Sequence, residues 1–309
     1  AIKEEEEVDA DEIPEHVFPY YFYDIQAKAN LDINQKHRLT FSGFYGDDIL
    51  YFSEEYQNDS EYNNSYTDNG GGIFDWKWGN KTTSVRWRWI INPGLIMKTF
   101  LADSRYRFHI DMDSWSNRTS SYDDDNKKYT VQDNGFDIFD IIKDRTLETE
   151  FMWMASEKHK IITGFQYKKV DFDLGMEFRW KENSYLQNYY SGETDELEYI
   201  DEYIRPLDIR DQTIEQSVYI EDKWNLNSLF TLMSGLRITY YNLHDKFYLD
   251  PRLGGKYKLS EDLALKINLG RYHQFLTIVN PQDVNFHFVD IWMGLRENLT
   301  ASYADHYII

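Results

Sequence analysis

Side chains able to do chemistry are plentiful in this sequence, but they are scattered. None of the eight histidines has another at the i, i+4 spacing by which one helix offers two imidazoles to zinc. There is no cysteine, so zinc could be held only by His and carboxylates, and thiolate catalysis and a disulfide framework are both excluded. GxSxG, P-loop and GxGxxG patterns are also absent, which removes support for nucleophilic acyl transfer and for phosphate cradling. Acidic pairs abound, yet abundance does not supply the geometry of general acid–base catalysis. The expectation is a protein that is not an enzyme, with no catalytic residue, no metal and no cofactor.

Two acidic stretches and two histidines need separate readings. Asp123, Asp124, Asp125 and Asn126 offer the hard oxygen ligands calcium prefers, but without the ordered spacing of a calcium loop, and they read as a solvated acidic loop. Glu4 to Glu7, with Asp9, Asp11 and Glu12, form a charge run of the solvated kind. His109, on the polar face of a strand, and His273, at the loop-ward end of GRYHQF, are expected to make lumen or loop hydrogen bonds. Rings in polar stretches remain as candidates for contacting a small-molecule or oligosaccharide ligand: Trp76, Trp78, Tyr122, Trp180, Tyr189 and Tyr190. The competing reading of each is packing within the loops or in the upper aromatic girdle. A net charge of −21 repels anionic ligands and makes nucleic acid a poor partner.

The elements that must carry these rings are legible from composition and period. Aromatic residues make up 17% of the chain, too many for a disordered acidic segment. No apolar run reaches the roughly 18 residues of a membrane helix. Mean hydropathy is −0.68, which an outer-membrane β-barrel tolerates because alternate residues face lipid and a polar lumen. The dominant pattern has period two. Tyr23, Ile25, Ala27, Ala29, Leu31 and Ile33 alternate with Asp24, Gln26, Lys28, Asn30 and Asp32, and a short turn leads to Leu39, Phe41, Gly43 and Tyr45.

Four more hairpins follow. Val85, Trp87, Trp89 and Ile91 turn at Asn92-Pro93-Gly94 and pair with an apolar face of Phe100, Ala102, Ser104, Tyr106, Phe108 and Ile110. Leu147, Thr149, Phe151 and Trp153 face Ile161, Thr163, Phe165 and Tyr167. Ile214, Val218, Ile220 and Trp224 face Leu232, Ser234, Leu236, Ile238 and Tyr240. Leu253 and Tyr257 precede Leu263, Leu265, Ile267 and Leu269.

The fold class expected is therefore all-β, an antiparallel up-and-down transmembrane barrel portion of about ten strands. Short periplasmic turns alternate strictly with long polar extracellular loops at 46–75, 113–145 and 170–208. Trp89, Trp153, Trp224 and Tyr257 lie beside short turns as one aromatic girdle. Tyr23, Tyr45, Tyr106, Tyr167 and Tyr240, with Phe108, form the opposite one.

Several stretches, in this order, resemble the TonB-dependent receptors, especially those of the Bacteroidota type. They are YYFYDIQAKANLDINQKHRLTFSGFYGDD at 20–48, WGNKTTSVRWRWI at 78–90, SRYRF at 104–108, YIEDKWNLNSLFTLMSGLRITYYN at 219–242 and LDPRLGGKYKLSEDLALKINLGRYHQF at 249–275. The resemblance implies a bacterial outer-membrane receptor that imports a scarce nutrient of siderophore, vitamin or glycan type. It implies outer-membrane lipid and the TonB complex as partners, the latter through a plug domain that has no counterpart in this sequence. Neither a TonB box nor terminal strands after Ile291 are matched, so a middle portion with unpaired edges is expected, starting after any export signal. Residues 1–19 read as an acidic extracellular segment, 20–290 as partial barrel, and 291–309 as barrel or loop continuation. Two other functions fit the same residues: a passive porin, and a soluble carbohydrate-binding β protein displaying its aromatics.

Overall fold

The computed structural model describes residues 19–60, 66–121, 125–188, 190–279 and 291–309. Strands β1 (Tyr20–Asp32), β2 (His37–Ser60), β3 (Tyr66–Asn92), β4 (Leu95–Ser121) and β5 (Asn126–Met154) run up and down in sequence order. Then come β6 (His159–Asn188), β7 (Thr194–Asn225), β8 (Phe230–Tyr241), β9 (Lys246–Lys258) and β10 (Ala264–Gln274). A small hairpin, β11 (Leu276–Val279) with β12 (Ile291–Gly294), leaves the sheet, and β13 (Ser302–Ile308) returns to pair antiparallel with β10. β1 and β13 do not pair with each other, so this eleven-stranded sheet is open, a partial barrel. In the C-terminal stretch, residues 291–294 belong to the hairpin and 302–308 to a strand of the sheet.

Asx and Ser turns close one end of the sheet. Asn34 Oδ1 accepts hydrogen bonds from the backbone of Lys36 and His37, and Asn227 Oδ1 does so from Leu229 and Phe230. Asn92 Oδ1, Ser156 Oγ and Ser260 Oγ perform the same task in the other three turns. Such side chains satisfy donors that a two- to five-residue loop leaves unpaired, which is why these residue types stand there.

The opposite end corrects the expected loops. Stretches 46–75, 113–145 and 170–208 are mostly strand, so β2 to β7 run 24 to 32 residues where about 9 to 11 would cross a bilayer. Strict alternation of loop length also fails, since β8 and β9 are joined at this end by the four residues Asn242 to Asp245, with Asp245 in the left-handed region at φ 48°.

Cross-strand register sorts the side chains onto two faces, and the apolar face changes sides along the strands. Near the short turns the outer face is apolar: Leu101 (52% exposed) lies between Val85 and Leu147, and Phe151 (36%) and Leu236 (37%) are also open, with no second layer over them among the described residues. Farther along, the inner face is apolar. There Phe108, Ile110 and Ile138 are buried with Phe74, Trp76, Trp78, Tyr106, Phe136 and Met176 around them. On β6 the change occurs between Tyr167, which faces outward, and Val170, Phe172 and Leu174, which are buried on the inner face. An outer face bathed in lipid wants apolar groups, and one bathed in water wants them on the other side. The reversal marks the edge of the hydrocarbon.

The register of β4 differs by one residue from the expected one. A bulge between Ile90 and Asn92 leaves Ile91 unpaired, so Trp89 opposes Met97 and Val85 opposes Leu101. One extra residue in a strand exchanges the faces of everything beyond it. Phe100, Tyr106 and Phe108 therefore lie on the inner face, where the Arg86 guanidinium sits 5.4 Å from the Phe100 ring centroid. Asp103, Arg105, Arg107 and His109 lie on the outer face instead.

Candidate functional site

An aromatic ladder climbs the inner face of the water-bathed half. Trp78 and Trp76 on β3 have ring centroids 5.0 Å apart, Trp76 meets Phe74 at 6.4 Å, and Phe74 stacks on Phe52 of β2 at 4.9 Å. Period two places every second residue of β3 on one face, and the paired register of β2 brings Phe52 opposite Phe74. Phe136 of β5 and Phe178 of β6 pair in the same way at 5.0 Å. Between these two pairs lies a groove of about 580 Å³, whose lining includes Phe52, Phe74, Phe136, Phe178 and Trp180 with Asn134, Ser114 and Glu54. Apolar walls with a few polar groups, at this volume, are what a small organic ligand needs.

The candidate rings separate accordingly. Trp180, 45% exposed, lines the groove. Trp76 and Trp78 pack into the adjoining apolar cluster, and the Trp76 indole nitrogen is buried without a hydrogen-bond partner among the described residues. Tyr190 is 79% exposed in the turn after β6, away from the groove lining. Tyr122 and Tyr189 lie outside the described residues, as do Asp123 and Asp124 of the acidic stretch. Phe52, Phe74, Phe136 and Phe178 were not among the sequence candidates. Their signal was present as alternation inside stretches too polar to read as strand.

The residues expected in the girdles are placed as follows. Trp89, Trp153, Trp224 and Tyr257 face outward beside the short turns, and Tyr23, Tyr45, Tyr167 and Tyr240 face outward at the other edge. Tyr106 does not: with Phe108 it belongs to the inner cluster, as the bulge dictates. Two histidines join the lower girdle unexpectedly. His37 stacks on Trp87 and Trp89 at 5.7 and 5.5 Å, and His159 stacks on Trp224 at 5.3 Å. In the upper girdle both Tyr23 and Tyr45 donate hydroxyl hydrogen bonds to Asp47 Oδ2, and Arg107 binds Asp47 Oδ1 at 2.9 Å.

The hairpin β11–β12 lies over the inner wall of β5 to β7. The Trp292 backbone N–H donates to Asp140 Oδ2 at 2.8 Å, and Leu295, Phe275 and Tyr241 pack together at its base, with the Tyr241 hydroxyl donating to the Leu295 carbonyl. Asp140 is fully buried, and burial pushes its carboxyl up to about 6 although the Trp292 N–H favours the charged form. His109 pairs with Asp137 at 2.5 Å, on the outer face rather than the inner one, and His273 pairs with Asp250 at 2.6 Å. Among the described residues no three His, Asp or Glu side chains are placed to hold a metal ion.

Residues 21–285 match the family model described as TonB dependent receptor-like, beta-barrel. This chain belongs to that family. Family and fold are those of receptors and transporters rather than enzymes, and they place the chain in the bacterial outer membrane. No curated protein matches the sequence. Similar solved structures include the ferric enterobactin receptor of Pseudomonas aeruginosa, at 10% identity and TM-score 0.38, covering 91% of this chain and 49% of that one. The siderophore receptor PirA of the same organism is 11% identical at TM-score 0.37, covering 92% and 51%. The RagAB peptide transporter is 10% identical at TM-score 0.41, covering 92% and 41%. The chain spans about half the length of the first of these receptors, and the family assignment rests on the sequence match alone.

Proposed function

We propose that this region forms part of the wall of a TonB-dependent uptake receptor and that the groove beside Trp180 receives the nutrient. The observation that carries this reading is the aromatic groove on the inner face, beyond the hydrocarbon edge, where an incoming solute would meet it first. Rings with adjacent amide and hydroxyl groups suit stacking on a glycan or a ring-bearing chelator. The charge of −21 favours a neutral or cation-bearing ligand over a bare anion. Lipid would contact the outer apolar band, and the TonB complex would act through a plug supplied elsewhere in the protein.

The test is uptake by cells expressing the full-length receptor. Transport should require TonB and should fall when Trp180→Ala is introduced, with ligand affinity lowered about tenfold, or about 1.4 kcal/mol, as for a buried aromatic contact. Flux through liposomes lacking TonB at the rate seen in cells would instead establish a passive channel. Unchanged affinity in Trp180→Ala together with Phe178→Ala would remove the groove from the ligand path.

A further inference from the structure

The outer face carries a row of cations where its apolar band ends. Lys81 stands directly across from Arg105, and Arg105 directly across from Lys143. Like charges directly opposed on a sheet repel, yet these three side chains make no ion pair or hydrogen bond among the described residues. Elsewhere on the same face the sheet neutralises such a line. Asp75, Asp111, Asp137 and Glu177 also lie in direct register; Asp75, Asp111 and Glu177 have counter-ions in Lys77, Arg179 and Arg205, and Asp137 is hydrogen-bonded to His109. Arg145 and Lys169, one row nearer the band, are likewise held by Asp103 and Asp171. Asp171 stands directly across from Lys143, and Asp103 two residues from Arg105 on the same face, but both carboxylates are paired with Arg145 or Lys169, so this part of the outer face holds an excess of cations in a chain of charge −21.

Directly on the band side of this row is an outward-facing trough of about 790 Å³. Its floor includes the small residues Ala27, Ala29 and Gly43, and Phe41, Leu101 and Leu147 rise around them. Arg145 and Lys169 stand on its rim together with Asp103, which is paired with Arg145. An apolar channel that opens to hydrocarbon and ends at a charged rim, with an excess of cations in the next row, has the polarity of a lipid molecule.

We propose that the trough and the row together bind a phosphate-bearing lipid of the outer leaflet, with an acyl chain against Gly43 and Leu101 and the phosphate against Lys81, Arg105 and Lys143. Guanidinium and ammonium groups recognise phosphate by charge-assisted hydrogen bonds. The proposal rests on the membrane orientation read above, with the short turns toward the periplasm.

The experiment uses the full-length receptor purified in detergent, with bound lipid counted by native mass spectrometry after addition of diphosphorylated lipid A or phosphatidylcholine. Lipid A should be retained and phosphatidylcholine should not. The triple variant Lys81→Gln, Arg105→Gln, Lys143→Gln should bind lipid A at least tenfold more weakly, whereas Lys81→Arg with Lys143→Arg should keep it. Gly43→Leu should weaken binding by filling the trough, and a Cβ there would meet its nearest neighbour, the Thr82 carbonyl, at an ordinary 3.9 Å, so the sheet accepts it. A folded triple variant, identified by the gel shift on heating, that binds lipid A as the parent does would overturn the proposal. Displacement of the lipid by millimolar inorganic phosphate would do so as well, marking a site for a free anion. An error in the membrane reading would appear separately, as failure of the unmodified protein to insert into phosphatidylcholine vesicles.

Discussion

Docking of the β11–β12 hairpin should tighten as pH falls from 7 to 5, because one of its anchors is the buried carboxyl of Asp140. Across the strands Asp140 faces Phe108 and Leu174, both buried and apolar, and among the described residues no cation offsets its charge. It lies seven residues beyond Leu147, the last outward-facing apolar residue of the band on β5, and so outside the hydrocarbon. Releasing the hairpin returns the carboxyl to water and to its ordinary value of 3.8, against about 6 when docked. A carboxyl whose value is raised in the docked state holds its proton more tightly there. Docking is therefore favoured at low pH, and the gain is lost as pH rises through about 6. The full difference between the two values corresponds to about 3 kcal/mol, of which about 1.4 kcal/mol, or tenfold in the docking equilibrium, appears between pH 7 and pH 5. Amide hydrogen exchange at Trp292, corrected for the intrinsic effect of pH, reads this directly. In Asp140→Asn, which keeps an acceptor for the Trp292 N–H and cannot ionise, protection should be high and independent of pH. Protection that stays flat or falls on acidification of the unmodified protein would refute the reasoning.

Three further outcomes follow from the two faces. Leu236→Arg places a charge on the apolar band and should destabilise the folded barrel in phospholipid vesicles by about 2–4 kcal/mol, measured by denaturant titration. Because the chain has no cysteine, Leu101→Cys and Phe100→Cys each give a single thiol; the first should react with a lipid-soluble maleimide and the second only with a water-soluble one, and the opposite result would restore the register without a bulge. Gly175→Leu should cost about 1–3 kcal/mol, since a Cβ at that position would stand 2.4 Å from the Phe139 ring, and thermal melting would show it.

Most of the barrel was legible in the sequence because lipid-facing strands advertise themselves by period two and by rings beside Asx turns. The turns at Asn34, Asn92, Ser156, Asn227 and Ser260 could be placed because each supplies the side-chain acceptor that such a turn requires. β4 was misread because a single unpaired residue, Ile91, decides which of two plausible faces is apolar, and Phe100, Tyr106 and Phe108 look as suited to lipid as Met97 and Leu101 do. That same slip hid the cation row, since an outward Phe100 and Phe108 would turn Arg105 to the opposite face from Lys81 and Lys143. The groove was only partly legible: Trp180 stood out as a ring, whereas Phe52, Phe74, Phe136 and Phe178 sit in stretches whose charges suggest loops. Those charges are instead the outer face of strands standing in water.

The reversal of faces also accounts for properties that first seemed at odds. A strand such as β6 needs apolar residues outward only as far as Tyr167 and inward only from Val170, so neither half is rich enough to raise the mean hydropathy above −0.68. The point of reversal must itself be neither lipid nor bulk water, and there the chain places Tyr23 and Tyr45 bound to Asp47, Tyr167, and the row from Lys81 to Lys143. Rings with a polar tip and long cationic side chains are the groups that tolerate such a boundary. A sheet standing wholly in water would have no reason to exchange its apolar face at matching heights on β3, β4, β5 and β6, whereas a sheet crossing a membrane edge has to.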